Sequence, residues 1–217
     1  MQLVAVTVDA KSFEMKAGSV LTASGKVLLT TIEGLVATSV TSTADDVEAT
    51  AGGNASFASA KSKKTLSLTS TNGTLSVINV EGEGAVSLIS KNGALTLQDS
   101  GSIKSTGSTV TVDANSFEMK SGSVLTASGK VLLGTVQTLV ATSVTSTDGE
   151  VEATAGSDAS FVSVKAKEAL KLKSTSGKLD IKTVETAGLV SLTAKNGTLT
   201  LQDMRDLMQT AEVRTHL

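Results

Sequence analysis

TLSLTSTNGTLSV, residues 65–77, is followed twenty residues on (85 − 65 = 20) by AVSLISKNGALTL, residues 85–97. Leu66, Leu68, Leu75 and Val77 of the first stretch become Val86, Leu88, Leu95 and Leu97 of the second, and Asn72-Gly73 and Asn92-Gly93 fall at the same place between each pair. Apolar residues alternate with Ser or Thr, which is the period-two pattern of a strand with one buried face. Asn-Gly between two such runs predicts a tight turn with positive φ. The unit is therefore strand, turn, strand, recurring about every twenty residues.

A longer repeat encloses the shorter one. Val8 to Asp99 aligns without a gap on Val112 to Asp203, at an offset of 104 (112 − 8 = 104), with about two-thirds of the positions identical. An offset close to five units of twenty residues is what a solenoid extended by whole turns requires. Two duplicated globular domains would need a linker, yet GSIKSTGSTVTV, residues 101–112, carries the strand-and-turn rhythm straight across the seam.

Composition narrows the interior. The chain of 217 residues has four Phe and no Trp, Tyr, Cys or Pro, so its core must be built from Val, Leu, Ala and a little Ile. Such residues suit narrow stacked layers better than a wide globular interior. Periodic apolar residues at 40% hydrophobic content argue against disorder. A formal charge of −2 gives no reason to expect nucleic acid or an anionic membrane as partner. Without cysteine there are no disulfides and no thiolate metal sites. No apolar run is long enough for a transmembrane segment, and MQLVAVTVDAKSFEMK lacks a signal-peptide pattern. The expected location is cytoplasmic, or extracellular or at the cell surface if the chain is part of a longer exported one.

These patterns predict an all-β chain, a single-stranded parallel β-helix (β-solenoid) over residues 1–203. It holds two tandem copies, about 8–99 and 112–203, with about twenty residues per coil. Some ten coils stacked at about 4.8 Å make a rod of roughly 45–50 Å. Phe13 and Phe117, and Phe57 and Phe161, recur as equivalent pairs and are expected in the core. From Met204 the pattern breaks: MRDLMQTAEVRTHL holds both arginines and the single histidine of the chain. Met204, Leu207, Met208 and Ala211 fall at helical spacing, which predicts a short C-terminal amphipathic helix over 204–217. Met204, Leu207 and Met208 are then candidates for a cap over the last coil or for docking a partner, an expression remnant being the third alternative.

The search for chemistry returns little. His216 stands alone near the C-terminus, and no serine has a histidine partner. Asp45, Asp46 and Glu48, echoed by Glu150 and Glu152, alternate with Val47 and Val151 and read as solvent-facing residues rather than a catalytic or calcium pair. Neither a phosphate-cradling loop nor a dinucleotide fingerprint is present, so neither enzymatic activity nor a cofactor is expected. Lys165, Lys167, Lys171, Lys173, Lys178 and Lys182 form the most conspicuous charge cluster and are expected to line one outer face. A solvated face accounts for them, and an anionic partner such as a glycan is the alternative.

GSVLTASGKVLL, DVEATAGGNASF and NGTLSV resemble the repeats of filamentous-haemagglutinin-like exoproteins, large exported bacterial adhesins and toxin carriers. The resemblance covers about Val6 to Asp203 and implies a right-handed β-helical stalk; the secretion domain that opens such proteins is not recognisable here. Phage and secretion-spike β-helices and filament-forming bactofilins are similar in pattern. Three function classes follow: a structural or adhesive stalk offering a surface to protein or glycan, a filament or spike subunit associating end to end, and a binding module. Thr109-Val110-Thr111 and Thr198-Leu199-Thr200 suggest the last, through flat threonine faces of the ice-binding kind.

Overall fold

The computed structural model describes residues 4–207 and 213–216. These residues form one parallel β-solenoid with about twenty residues per coil, and the pairings between coils are parallel throughout. One column of aliphatic residues runs its length, buried from Val27 to Val190: Val6 pairs with Val27, then Val47, Leu66, Val86 and Val110, and on through Val190 to its register partner Val213. Successive steps are 21, 20, 19, 20 and 24 residues, and Val6 to Val110 spans 104 (110 − 6 = 104), so the long repeat is five whole coils.

The regular coils have a five-residue strand and an eight-residue strand, as in Val47–Ala51 and Ala55–Ser62. The first alternates regularly, with positions one, three and five inward. The second does not: in Leu35–Ser42 residues 35, 37, 40 and 42 are buried while Thr38 and Ser39 both stand outward. Two consecutive outward residues reverse the phase of the alternation, which a straight strand cannot do, so the chain turns a corner there. A coil thus has a long face and two short ones, separated by three corners. Leu35 and Ala37 supply the second face and Val40 the third, and repetition of this set fills the interior with small aliphatic side chains. Phe57, Phe117 and Phe161 are buried in that stack as expected, and Phe13 is half-buried against its first coils.

Corner chemistry corrects two sequence expectations. Among the described residues only Gly18, Gly122 and the non-glycine Ser100 have positive φ; Gly73 and Gly93 do not, so Asn-Gly forms no hairpin-type turn. Their requirement is steric. Corners of successive coils stack backbone on backbone, and a Cβ at Gly93 would fall on the carbonyl oxygen of Gly73. The second correction concerns serine, which the alternation had placed outward. Ser42, Ser70, Ser105, Ser146 and Ser174 are buried at the ends of strands, and Ser90 is buried within Val86–Ser105. Ser146 Oγ donates to the Gly129 carbonyl at 2.6 Å and accepts from the Gly149 N–H at 3.0 Å. Ser174 does the same with Ser157 and Gly177 at 2.7 and 3.1 Å. Each hydroxyl so ties a corner to the coil beneath it, and among the described residues no buried side-chain polar atom is left without a partner.

Among the described residues the C-terminal helix is not present. Met204 to Leu207 continue the strand Leu199–Leu207, and Val213–His216 is a further strand paired with Val190 to Thr193; Met208 lies outside the described residues. The outer edges of Leu179–Thr186 and Val190–Ala194 offer rows of N–H and C=O groups that a following strand satisfies, whereas a helix of about 14 residues is marginal by itself. Identity between the copies stops at Asp203, but strand pairing continues past it with a register shift between Thr183 and Glu185.

Candidate functional site

The six lysines do not share a face. Lys171 and Lys173 point outward from the long face in Leu170–Ser174. Lys178 lies at the corner that follows, and Lys182 is one of the two outward residues at the next corner. Lys165 stands on the third face, at the end of Ala159–Ala166, and Lys167 at the corner beyond it. Alternation along a strand distinguishes inside from outside, but it is silent about which of three faces the chain has reached. Lysines spread over most of one coil therefore encircle the rod.

Half of them are neutralised by the rod itself. Lys165 pairs with Glu185, Lys171 with Glu150 at 3.0 Å and Lys178 with Asp180 at 3.1 Å. Lys167, Lys173 and Lys182 have no ion pair among the described residues. Many of the pairs join neighbouring coils, Lys26 with Glu48 at 2.6 Å and Lys63 with Glu83 at 2.6 Å among them. Exposed pairs of this kind contribute about 0–1 kcal/mol each, and a slip of one coil would replace them with unmatched neighbours, so their main effect is on register.

The acidic residues are held in the same way. Lys64 donates to Asp45 at 3.0 Å, and Asp46 accepts the Thr65 N–H at 2.9 Å. Lys130 lies 2.5 Å from Glu150 and 2.7 Å from Glu152. Hydrogen bonds from Lys130 and then Lys171 hold the Glu150 carboxyl below its ordinary range, and the bond from Lys64 does so for Asp45. Shifts in this direction keep carboxylates ionised, the opposite of what a general acid needs. Among the described residues no group of three or more His, Asp or Glu is placed to hold a metal ion. His216 belongs to the strand paired with Val190 to Thr193, opposite Thr193 in register.

Among the described residues threonine forms no continuous column on the long face. On the long face Thr30, Thr50 and Thr69 stack in one column, which then runs through Ile89, Asp113 and Gly134 before Thr154. Thr111 belongs to the neighbouring column, next to Leu132 and Glu152. Exposed apolar residues such as Ile32, Val136 and Leu189 sit at corners as isolated side chains.

A groove of about 500 Å³ lies where the third face meets its corner, across three successive coils. Its walls include Thr145, Thr147, Lys165, Lys167, Glu185 and Ala187. Two of the sequence-predicted lysines thus meet in one depression, while Lys171 and Lys173 border a separate one of about 200 Å³. Sequence reasoning missed Thr145, Thr147, Glu185 and Ala187 because they lie about twenty and forty residues apart, at neighbours set by coil length. The offset that relates Leu66 to Val86 would have found them. No protein-family model, curated protein or solved structure matches the chain.

Proposed function

We propose that the chain is a non-enzymatic structural rod, a stalk segment that fixes a distance and presents its flanks to a protein or glycan. The observation that supports this most is the seam between the copies. Val86 to Ser90 pair in register with Val110 to Ala114, and the inward column passes through without a break. A duplication of five coils therefore extends the same inward column, with register shifts in the seam coil, and the polar positions of the lysine-rich coil differ between the copies, as when Ser67 and Thr69 stand where the second has Lys171 and Lys173. The resemblance to exported stalks agrees with this reading and would place the rod at a cell surface.

Spin labels at Thr50 and Thr154, five steps apart in one outer column, test it. A stiff rod gives a narrow distance distribution near about 24 Å, and insertion of one more 104-residue block between the labels adds about 24 Å. A broad distribution, or one that does not lengthen with the insertion, rejects the rod.

A second reading, a filament or spike subunit joined through its ends, is favoured by one feature. Among the described residues Val6–Ala10 pairs only with Val27–Thr31, and a strand paired on one side can take a strand from a second copy on the other. Sedimentation over a wide concentration range separates the two, since a chain monomeric throughout does not polymerise.

A further inference from the structure

The corner that bears the groove has an equivalent in the first copy, and the two corners differ in their ion pairs. In the first copy Lys61 pairs with Glu81 at 2.9 Å, and Lys63 pairs with Glu83 at 2.6 Å across the same corner. In the second copy Lys165 keeps its partner Glu185, but Glu83 is replaced by Ala187 (83 + 104 = 187). Lys167, the equivalent of Lys63, is exposed beside the space of about 500 Å³ and has no ion pair among the described residues.

We propose that this groove binds an acidic saccharide, a uronate unit whose carboxylate takes the place at Lys167 that Glu83 takes at Lys63. The first copy is the internal template for the contact: a carboxylate already fits against the equivalent ammonium at hydrogen-bonding distance. Thr145 and Thr147 add hydroxyls that can donate to or accept from sugar hydroxyls, and the Lys165–Glu185 pair offers both a cation and an acceptor beside them. An acidic peptide is the less suited occupant. Leu139–Ser146, Ala159–Ala166 and Leu179–Thr186 are paired on both sides, so no backbone edge is free to receive a peptide as an added strand. The proposal rests on the rod reading for the shape of the surface alone.

Titration calorimetry of the full chain with a short oligogalacturonate tests it, with a neutral malto-oligosaccharide of equal length and oligoglutamate as controls. One site per chain is expected for the oligogalacturonate, and no binding of the neutral sugar. Lys167→Gln should weaken binding about tenfold, as for loss of one charge-assisted hydrogen bond. Ala187→Glu restores an internal carboxylate and should do the same. Glu83→Ala removes the carboxylate that pairs with Lys63 and should raise the stoichiometry from one to two. Circular dichroism and the label distance monitor the rod separately, so failure of the groove and failure of the stalk are distinguishable. Equal affinity in all three variants, no binding of oligogalacturonate, or equal binding of oligoglutamate overturns the proposal.

Discussion

Removing the hydroxyl of Ser174 isolates the contribution of one corner. Ser174 is fully buried, donates to the Ser157 carbonyl at 2.7 Å and accepts the Gly177 N–H at 3.1 Å. Ser174→Ala deletes a single oxygen and leaves one backbone acceptor and one backbone donor without that partner. At about 1–3 kcal/mol for each buried group left unsatisfied, and with partial relief by water at a corner, the loss should be about 2–4 kcal/mol. For a chain of this length one kcal/mol lowers the melting temperature by about 2–4 °C, giving a fall of roughly 4–16 °C if the rod melts as a unit. Solenoids can open locally, so amide exchange is the sharper assay: protection at Gly177 and in the adjoining coils should drop while the first copy stays unchanged. Ser160→Ala, on an outward position of Ala159–Ala166, is the control and should fall within about ±0.5 kcal/mol. A Ser174→Ala protein that melts with the control and keeps its Gly177 protection would refute the claim that these hydroxyls hold the corners.

Leu172→Asp forces a carboxylate into the aliphatic column between Ala153 and Leu192, and loss of several kcal/mol is expected as unfolding of the surrounding coils; an unaltered thermal melt would remove the inward assignment. Gly156→Ala drives a methyl group onto the Val136 carbonyl and should destabilise by about 1–3 kcal/mol, whereas Gly134→Ala, whose nearest new neighbour is Val112 O at 3.8 Å, should be neutral or stabilising in denaturant titrations. Asp45, Glu81, Glu150 and Asp180 all have carboxyls held below their ordinary values by lysine hydrogen bonds. Their stabilising effect is complete above the unfolded values of 3.8 for Asp and 4.5 for Glu and is lost as pH falls through the lower folded values, so melting temperature should hold from pH 7 to about 5 and decline below it. A melting temperature unchanged at pH 3 would contradict the pairing.

The period-two alternation of Leu66, Leu68, Leu75 and Val77 carried the strands, their inward faces and the parallel stacking, because one repeated pattern answers to one physical demand, burial of alternate side chains. It did not carry the cross-section. The phase reversal at Thr38 and Ser39 is two residues long, and on the sequence it is indistinguishable from any polar pair between two apolar residues. The buried serines were hidden for a similar reason: a hydroxyl that closes a corner is chemically the same as one in water, and only the position of Gly129 or Ser157 in the coil beneath shows which it is. At the C-terminus a helical spacing of Met204 and Leu207 competed with an open strand edge one coil away, and the edge prevailed since a row of unpaired backbone groups outweighs the propensity of a few side chains.

Duplication also changes what the candidate site can be compared with. Corners and inward columns are under one constraint in both copies, so identity there, as with Gly52 and Gly156 or Ser70 and Ser174, reports folding. Outward positions carry no such constraint, and divergence at most of them signifies little. The groove is different because the substitution of Glu83 by Ala187 removes one half of an ion pair and retains the other, Lys167. A solvated face that drifted would lose either member with equal ease, and a lone lysine is inexpensive in water, so retention of the cation alone proves nothing by itself. What gives it weight is its setting, since the vacated position borders a groove of about 500 Å³ lined by hydroxyls and a second, intact pair. The reciprocal exchange of Glu83→Ala and Ala187→Glu within one chain should therefore transfer saccharide binding from the second copy to the first while leaving the circular dichroism spectrum, the net charge and the number of sites unchanged. If binding disappears instead of moving, other differences at that corner, among them Ser62 against Ala166, Lys64 against Glu168, Ala44 against Asp148 and Gly82 against Thr186, also decide the site.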